Sequence, residues 1–324
     1  MKLLSVRPLT APRASSMLVG VALLWGVSFP LMKNWQAAAE GCPGSVVLAS
    51  LTVIGVRMLL ALAVLAVWQP RLFTAPTWRE HVGGAALGTA FWAGFVLQVW
   101  GIASTTPALS AFFTSISSAW VPPLAWVFLG ITAAPVTLLG LGVALAGMAV
   151  LGRDLDKAYG LGPGEFLTLL ASVLFAVQIL LLDRLGKRLQ SAHLSGGFFG
   201  AAAILSVVGG FFLSARQGGV GEWLAWTAAM MQKPNVLRDV LLLTLLPTVL
   251  AFHWMNTYQP RVPASRAALI YLLEPVFAST FSVIWGHDAV TARLLLGGGL
   301  ILAGNVLVEL PRWLRSPGPR MLKE

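Results

Sequence analysis

The chain has 324 residues, 57% of them hydrophobic and only 10% charged, where an ordinary soluble domain carries about 25% charge. A water-soluble globule has no means of hiding that much apolar surface, so lipid must be the solvent for most of the chain. The formal net charge of +10 does not indicate nucleic acid, because the basic residues lie mainly between apolar runs, where cytoplasmic loops gather them.

A basic lead, residues 1–15, carries Lys2, Arg7 and Arg13. The first apolar run covers about 17–38. Its end, Ala37 to Ala39, resembles a small-residue cleavage site. The stretch is long for a signal, however, and contains Trp25, Pro30 and Lys33, which favours a retained first helix. The single cysteine, Cys42, excludes an intramolecular disulfide and a Cys-based zinc cluster. Glu40 stands where a lipoprotein-type signal wants a small residue, and Cys42 reads as incidental.

Further apolar runs lie near 45–68, 82–103, 107–130 and 134–152. A polar connection, Arg153–Gly162, marks the midpoint, and runs near 163–183, 195–215, 237–258, 263–285 and 290–310 follow. Most are close to the ~20 residues a helix needs to cross a hydrocarbon core. The expected fold is an all-α membrane protein of ten transmembrane helices. Residues 16–152 form one five-helix repeat, 163–310 a second, and 311–324 a basic tail.

Two stretches carry the repetition, Pro107 to Gly152 and Pro263 to Glu309. Each opens with proline and meets proline again inside its first helix. The helix that follows carries Gly140, Gly142, Ala146 and Gly147 in one case, and Gly297, Gly299, Ala303 and Gly304 in the other. Small-residue surfaces of this kind let membrane helices approach closely, within one chain or between the two chains of a homodimer.

With the N-terminus inside, fourteen of the 22 Lys and Arg residues fall in inner loops and the termini, seven fall in outer loops, and Arg57 lies within a span. The bias predicts that both termini are cytoplasmic. An odd number of helices per half then inverts the second repeat, an architecture that recurs in secondary transporters. The longest connection, 216–239, holds Trp223, Trp226, Met230 and Met231. It predicts a short amphipathic helix, lying in the interface plane or acting as a lid.

Catalytic signatures are missing: there is no G-x-S-x-G, H-E-x-x-H, P-loop or dinucleotide fingerprint. The four histidines lie in separate segments without ligand spacing. No catalytic residue, metal site or cofactor is therefore expected.

Ionisable groups within spans are costly and usually functional. Glu274 follows Tyr271 by three residues, on a shared helix face, and precedes Pro275, whose missing donor frees a backbone carbonyl. It reads either as a proton- or substrate-linked carboxylate or as a structural acid closing a gate. Arg57 reads first as structural, satisfying backbone carbonyls between helices, and Arg266 opens the ninth run.

In the fourth run Ser110, Thr114 and Ser117 recur at i, i+4 and i+7 beside Phe113, with Pro122 and Pro123 expected to break the helix just beyond. Phe91, Phe95 and Gln98 share a face, as do Phe175 and Gln178, while His253 and Asn256 sit together on the eighth run. Trp25 and Phe29 join them from the first. Trp68, Trp78, Trp223 and Trp313 lie near span ends, where interfacial belts recruit them, and Trp92, Trp100 and Trp120 lie deeper. Aromatic walls with a few amide or imidazole groups suit an amphipathic organic solute. The expected partners are thus a small-molecule substrate and the lipid bilayer, with no nucleic acid.

The motif "LLWGVSFPLMK" (Leu23–Lys33), Arg57 in the second run, "VPASRAALIYLLEPVFA" (Val262–Ala278) and "LLGGGLILAG" together resemble the EamA branch of the drug/metabolite transporter superfamily. The likeness covers most of the chain and is most specific in the ninth run. It implies a ten-helix, two-repeat inner-membrane carrier that exports amino acids or other metabolites from a central cavity. Helices four and nine of that family usually end in glycine followed soon by glutamate. Here Gly130 is followed by Ile131 to Pro135, and Gly286 by His287 and Asp288. Two other classes stay open beside a carrier: an integral-membrane enzyme acting on lipid-linked substrate, which would release an altered product, and a sensor or partner subunit, which would bind solute without flux.

Overall fold

The computed structural model describes residues 11–74, 76–105, 107–151, 162–190, 193–285 and 290–315. Most of the basic lead, nearly all of the midpoint connection, His287, Asp288 and the end of the tail lie outside the described residues. Among the described residues there is no strand.

The first half holds α1 (Ala11–Ala38), α2 (Val46–Trp68), the single turn α3 (Arg71–Thr74), α4 (Trp78–Ala103), α5 (Pro107–Ser115), α6 (Ser117–Leu129) and α7 (Pro135–Leu151). The second half holds α8 (Pro163–Gly186), α9 (Leu194–Gln217), α10 (Val220–Gln232), α11 (Pro234–Leu243), a π-helical segment (Thr244–Leu250), α12 (Ala251–Tyr258), α13 (Ala264–Tyr271), α14 (Glu274–Ile284) and α15 (Ala292–Arg315). Eight stretches are long and apolar enough to span a membrane, and two shorter apolar helices lie in α7 and α15.

Local chemistry sets the helix boundaries. Ser45 caps α2, its hydroxyl accepting from the N–H of Leu48. Thr77 and Glu80 form a reciprocal capping box at the start of α4, satisfying donors that the first turn leaves unpaired. Pro163 and Pro234 open α8 and α11, where the missing N–H costs nothing. Gly130 ends α6 in the left-handed conformation, φ +64°.

The fourth and ninth apolar runs are each broken. The interruption of the fourth falls at Ile116, between α5 and α6, and Pro122 and Pro123 lie inside α6. The sequence expectation of a break at those prolines is thus corrected. The chain turns one to two helical turns upstream, with the Ile116 N–H bonded to Phe113 O in the tighter i−3 pattern, and a regular helix resumes through the pair. The ninth run breaks at Leu272–Leu273. Pro275 therefore stands in the first turn of α14, where proline is tolerated, rather than in a helix interior.

The halves interlock. α4 lies against α8 and α9, α12 against α1, and α7 against α15. α1 is part of this core, with Leu18, Val21, Ala22 and Phe29 fully buried. α10 is pinned by Trp223, whose indole N–H donates to Thr52 Oγ1 at 2.8 Å. Trp226 stacks edge-on with Trp35, centroids 6.1 Å apart.

Candidate functional site: a central cavity between the halves

Midway along the long helices lies a cavity of about 70 Å³, room for several waters or one small organic group. From the first half, Trp25 and Ser28 of α1, Arg57 of α2, Phe91, Phe95 and Gln98 of α4, and Thr114 and Ser117 at the α5–α6 break line it. From the second half come Phe175, Gln178 and Ile179 of α8, Pro247 of the π segment, Phe252 and Met255 of α12, and Tyr271 and Glu274 at the α13–α14 break. The two helix breaks thus meet the same space.

The apolar wall is a continuous aromatic cluster. Phe91 packs on Phe95 at 4.8 Å, on Phe252 at 4.7 Å and on Phe198 at 5.1 Å between centroids. Trp25 packs on Phe252 at 5.4 Å and on Tyr271 at 5.1 Å. These centroid distances fall in the favourable range for aromatic pairs.

The polar groups divide into satisfied and open ones. Gln98 Nε2 donates to Thr114 Oγ1 at 2.8 Å. The Tyr271 hydroxyl donates to Gln259 Oε1 at 3.0 Å, and Gln259 Nε2 to the carbonyl of Ile179 at 2.9 Å. The guanidinium of Arg57 sits over the Phe95 ring at 4.9 Å and gives Nε and Nη2 to Thr248 Oγ1, at 3.2 and 2.7 Å. Arg57 Nη1, Trp25 Nε1 and Gln178 Nε2 are buried without a hydrogen-bond partner. Among the described residues no three His, Cys, Asp or Glu side chains group as metal ligands do.

Several of the residues singled out in the sequence stand elsewhere. Phe29 is core, with no exposed surface. Trp92 turns to α9, its Nε1 donating to Ser206 Oγ at 3.0 Å. Ser110 is buried one turn beyond the cavity, and Phe113 stacks edge-on against Phe112 at 5.0 Å. His253 faces Trp68 of α2 at 5.6 Å, and Asn256 donates to Ser195 Oγ at 3.2 Å. Trp100 and Trp120 are exposed on the bundle surface. Arg266 ties α13 to α1, its Nη2 donating to Ser15 Oγ at 2.8 Å.

Sequence reasoning missed Ser28, Ile179, Pro247, Phe252 and Met255. Phe252 lies next to His253, and a preference for the polar neighbour hid it.

Polar contacts tie helix ends together on both sides of the cavity. At one end Lys33 Nζ donates to the carbonyls of Ile102, Ala103 and Thr105 at 3.1, 3.4 and 2.9 Å, a cation on a helix C-terminus. The Thr105 hydroxyl donates to Glu165 Oε1 at 2.5 Å. At the other end Glu80 accepts from the N–H of Gln190 at 3.1 Å and lies 3.3 Å from His193 Nδ1.

An all-helical membrane bundle with a central aromatic cavity walled by both halves is the architecture of a small-molecule transporter. The profile of the EamA-like transporter family matches residues 13–153 and again 162–310, and the chain belongs to that family. It is 24% identical over 311 residues to the "Uncharacterized transporter YvbV" of Bacillus subtilis, covering 94% of each chain. It is 25% identical over 296 residues to an "Uncharacterized transporter" of Archaeoglobus fulgidus, covering 90% of this chain and 83% of that one. A solved chain described as "Crystal structure of protein" shares the fold at a TM-score of 0.64 and 19% identity, over 94% of this chain and 99% of the other. The protein is an integral membrane transporter.

Proposed function

We propose that the chain exports small amphipathic metabolites, amino acids or solutes like them, across a bacterial inner membrane by alternating access. In this reading ten helices form two inverted five-helix repeats, 16–152 and 163–310, with both termini in the cytoplasm. The observation that carries it is the cavity at mid-span, lined by both helix breaks. Broken helices around a midplane site are a recurring feature of secondary transporters.

Two regularities support the repeats. Each break falls nine residues after its opening proline, Pro107 to Ile116 and Pro263 to Leu272. The packing also pairs corresponding elements across the halves: α4 lies on α8 and α9, and α12 lies on α1 with the π segment on α2. Glu274 lines the cavity without a hydrogen-bond or ion partner among the described residues, which suits a carboxylate that takes up a proton or a substrate cation. Transport is uniport or, with Glu274 carrying the proton, antiport.

Alternating access is tested by replacing Cys42 with Ser and Ser117 with Cys. In oriented vesicles a membrane-impermeant maleimide should reach this cysteine from either side, and substrate should slow both reactions. Labelling confined to one side would contradict the cycle.

A further inference from the structure

We infer that Arg57 is the cavity's receptor for a carboxylate on the transported solute, and that Thr248 is the positioning residue that aims it. The inference rests on the carrier reading for its biological meaning, but not for its geometry.

Pro247 lies inside the π-helical segment that faces Arg57. Proline has no N–H to return to the carbonyl four residues earlier, here Leu243, and the chain widens into a π-helix over Thr244–Leu250. Such bulges appear frequently at functional sites. The Thr248 hydroxyl donates to Leu243 O at 2.7 Å, which leaves its lone pairs to accept from Arg57 Nε and Nη2. Arg57 Nη2 also lies 3.4 Å from Leu243 O. With Phe95 under the guanidinium plane, two of its three nitrogens are held, and the plane has little freedom left.

The third nitrogen is the one that matters. Nη1 is buried and unpartnered, and no carboxylate of the described residues pairs with Arg57, which is 2% exposed. A guanidinium stays charged in a protein, and a buried charge with no counter-ion is costly. That cost is offset when the solute brings the negative charge. Two more unpartnered donors, Trp25 Nε1 and Gln178 Nε2, line the same cavity from α1 and α8. Three open donors from three helices, two of them on side chains at least nine-tenths buried, form a set that takes an anion with more than one acceptor oxygen. Carboxylate fits the planar fork of arginine, and the aromatic walls take an apolar body. A purely structural arginine would have spent Nη1 on a carbonyl, as it has spent Nη2.

The test uses the full chain in phospholipid nanodiscs and a matched pair of probes, 3-phenylpropionate and 3-phenylpropanamide, which differ only in carboxylate against uncharged amide. The carboxylate should bind about 10-fold or more tightly than the amide, the scale of a charge-assisted hydrogen bond. Arg57→Gln should abolish that preference. Thr248→Val should cut it several-fold, and Thr248→Ser, which keeps the hydroxyl, should restore it. Trp25→Phe, which keeps an aromatic ring but removes the N–H, should lower carboxylate affinity more than amide affinity, because the charged acceptor makes the stronger bond, and it carries the test if Arg57→Gln does not fold.

Equal affinity for the two probes, tighter binding of the amide, failure of both to bind, or a preference that survives Arg57→Gln or Thr248→Val each overturns the assignment. Proteoliposome flux separates this from the carrier reading. Carboxylate-selective binding without flux rejects the carrier and keeps the receptor, and flux without carboxylate preference does the reverse.

Discussion

Gly147 of α7 is pressed against Gly297 of α15: a Cβ built on Gly147 would stand 2.6 Å from the Gly297 carbonyl oxygen. The partner contact joins Gly140 to Gly304, where a Cβ on Gly140 would stand 2.7 Å from the Gly304 oxygen. The first glycine of one stripe therefore meets the last of the other, as two antiparallel copies of one motif must. Gly142 and Gly299 face open space.

The prediction is a contrast. Gly147→Ala should destabilise the protein by about 1–3 kcal/mol, the usual cost of overpacking a close contact, whereas Gly142→Ala should leave stability unchanged. Thermal unfolding followed by monodispersity in detergent reads both. Equal melting temperatures for the two variants would contradict the packing.

Trp223→Phe should remove the hydrogen bond to Thr52 while keeping most of the packing. A loss of about 0.5–1.5 kcal/mol is expected for a buried bond of this type. Thr52→Val should cost a similar amount, and the double variant less than the sum of the two, because both remove one shared interaction.

Most of the long helices and the two mid-span ionisable residues were legible in the sequence. So were the shared faces of Phe91, Phe95 and Gln98, and of Phe175 and Gln178, because spacing alone fixes which residues share a helix face. Spacing does not fix how a helix is rotated within its bundle. His253 and Asn256 turned to α2 and α9 for that reason, and Trp92 to Ser206. Phe252 and Met255 were illegible for a second reason: an apolar residue on a cavity wall has the same composition signal as one in the core. The break at Ile116 lacks a proline of its own, so the visible pair at Pro122 and Pro123 misdirected the expectation.

Cys42 reports on orientation. It is half-buried in the connection between α1 and α2, and burial pushes its thiol above the ordinary value. The thiolate is the reactive form, so labelling should be slow near neutral pH and should accelerate as pH rises through the raised value. Under the proposed orientation, with both termini cytoplasmic, an impermeant maleimide should reach it from outside in intact cells. Labelling only after the cells are opened would reverse the orientation.

Glu274→Gln separates antiport from uniport. Under proton antiport, an inward proton gradient accelerates wild-type export, and the variant loses that acceleration because a glutamine cannot take up the proton. Folded variant protein whose export still follows the gradient would remove Glu274 from coupling.

Solute counterflow in proteoliposomes tests the central claim most directly. Vesicles holding purified protein are loaded with unlabelled solute, and labelled amino acids, nucleosides and amphipathic drugs are offered outside in turn. The account predicts transient accumulation of at least one unmodified solute, competed by its own unlabelled form. Recovery of a chemically altered product would make the protein an enzyme, and saturable binding without counterflow would make it a sensor; either result would contradict a carrier.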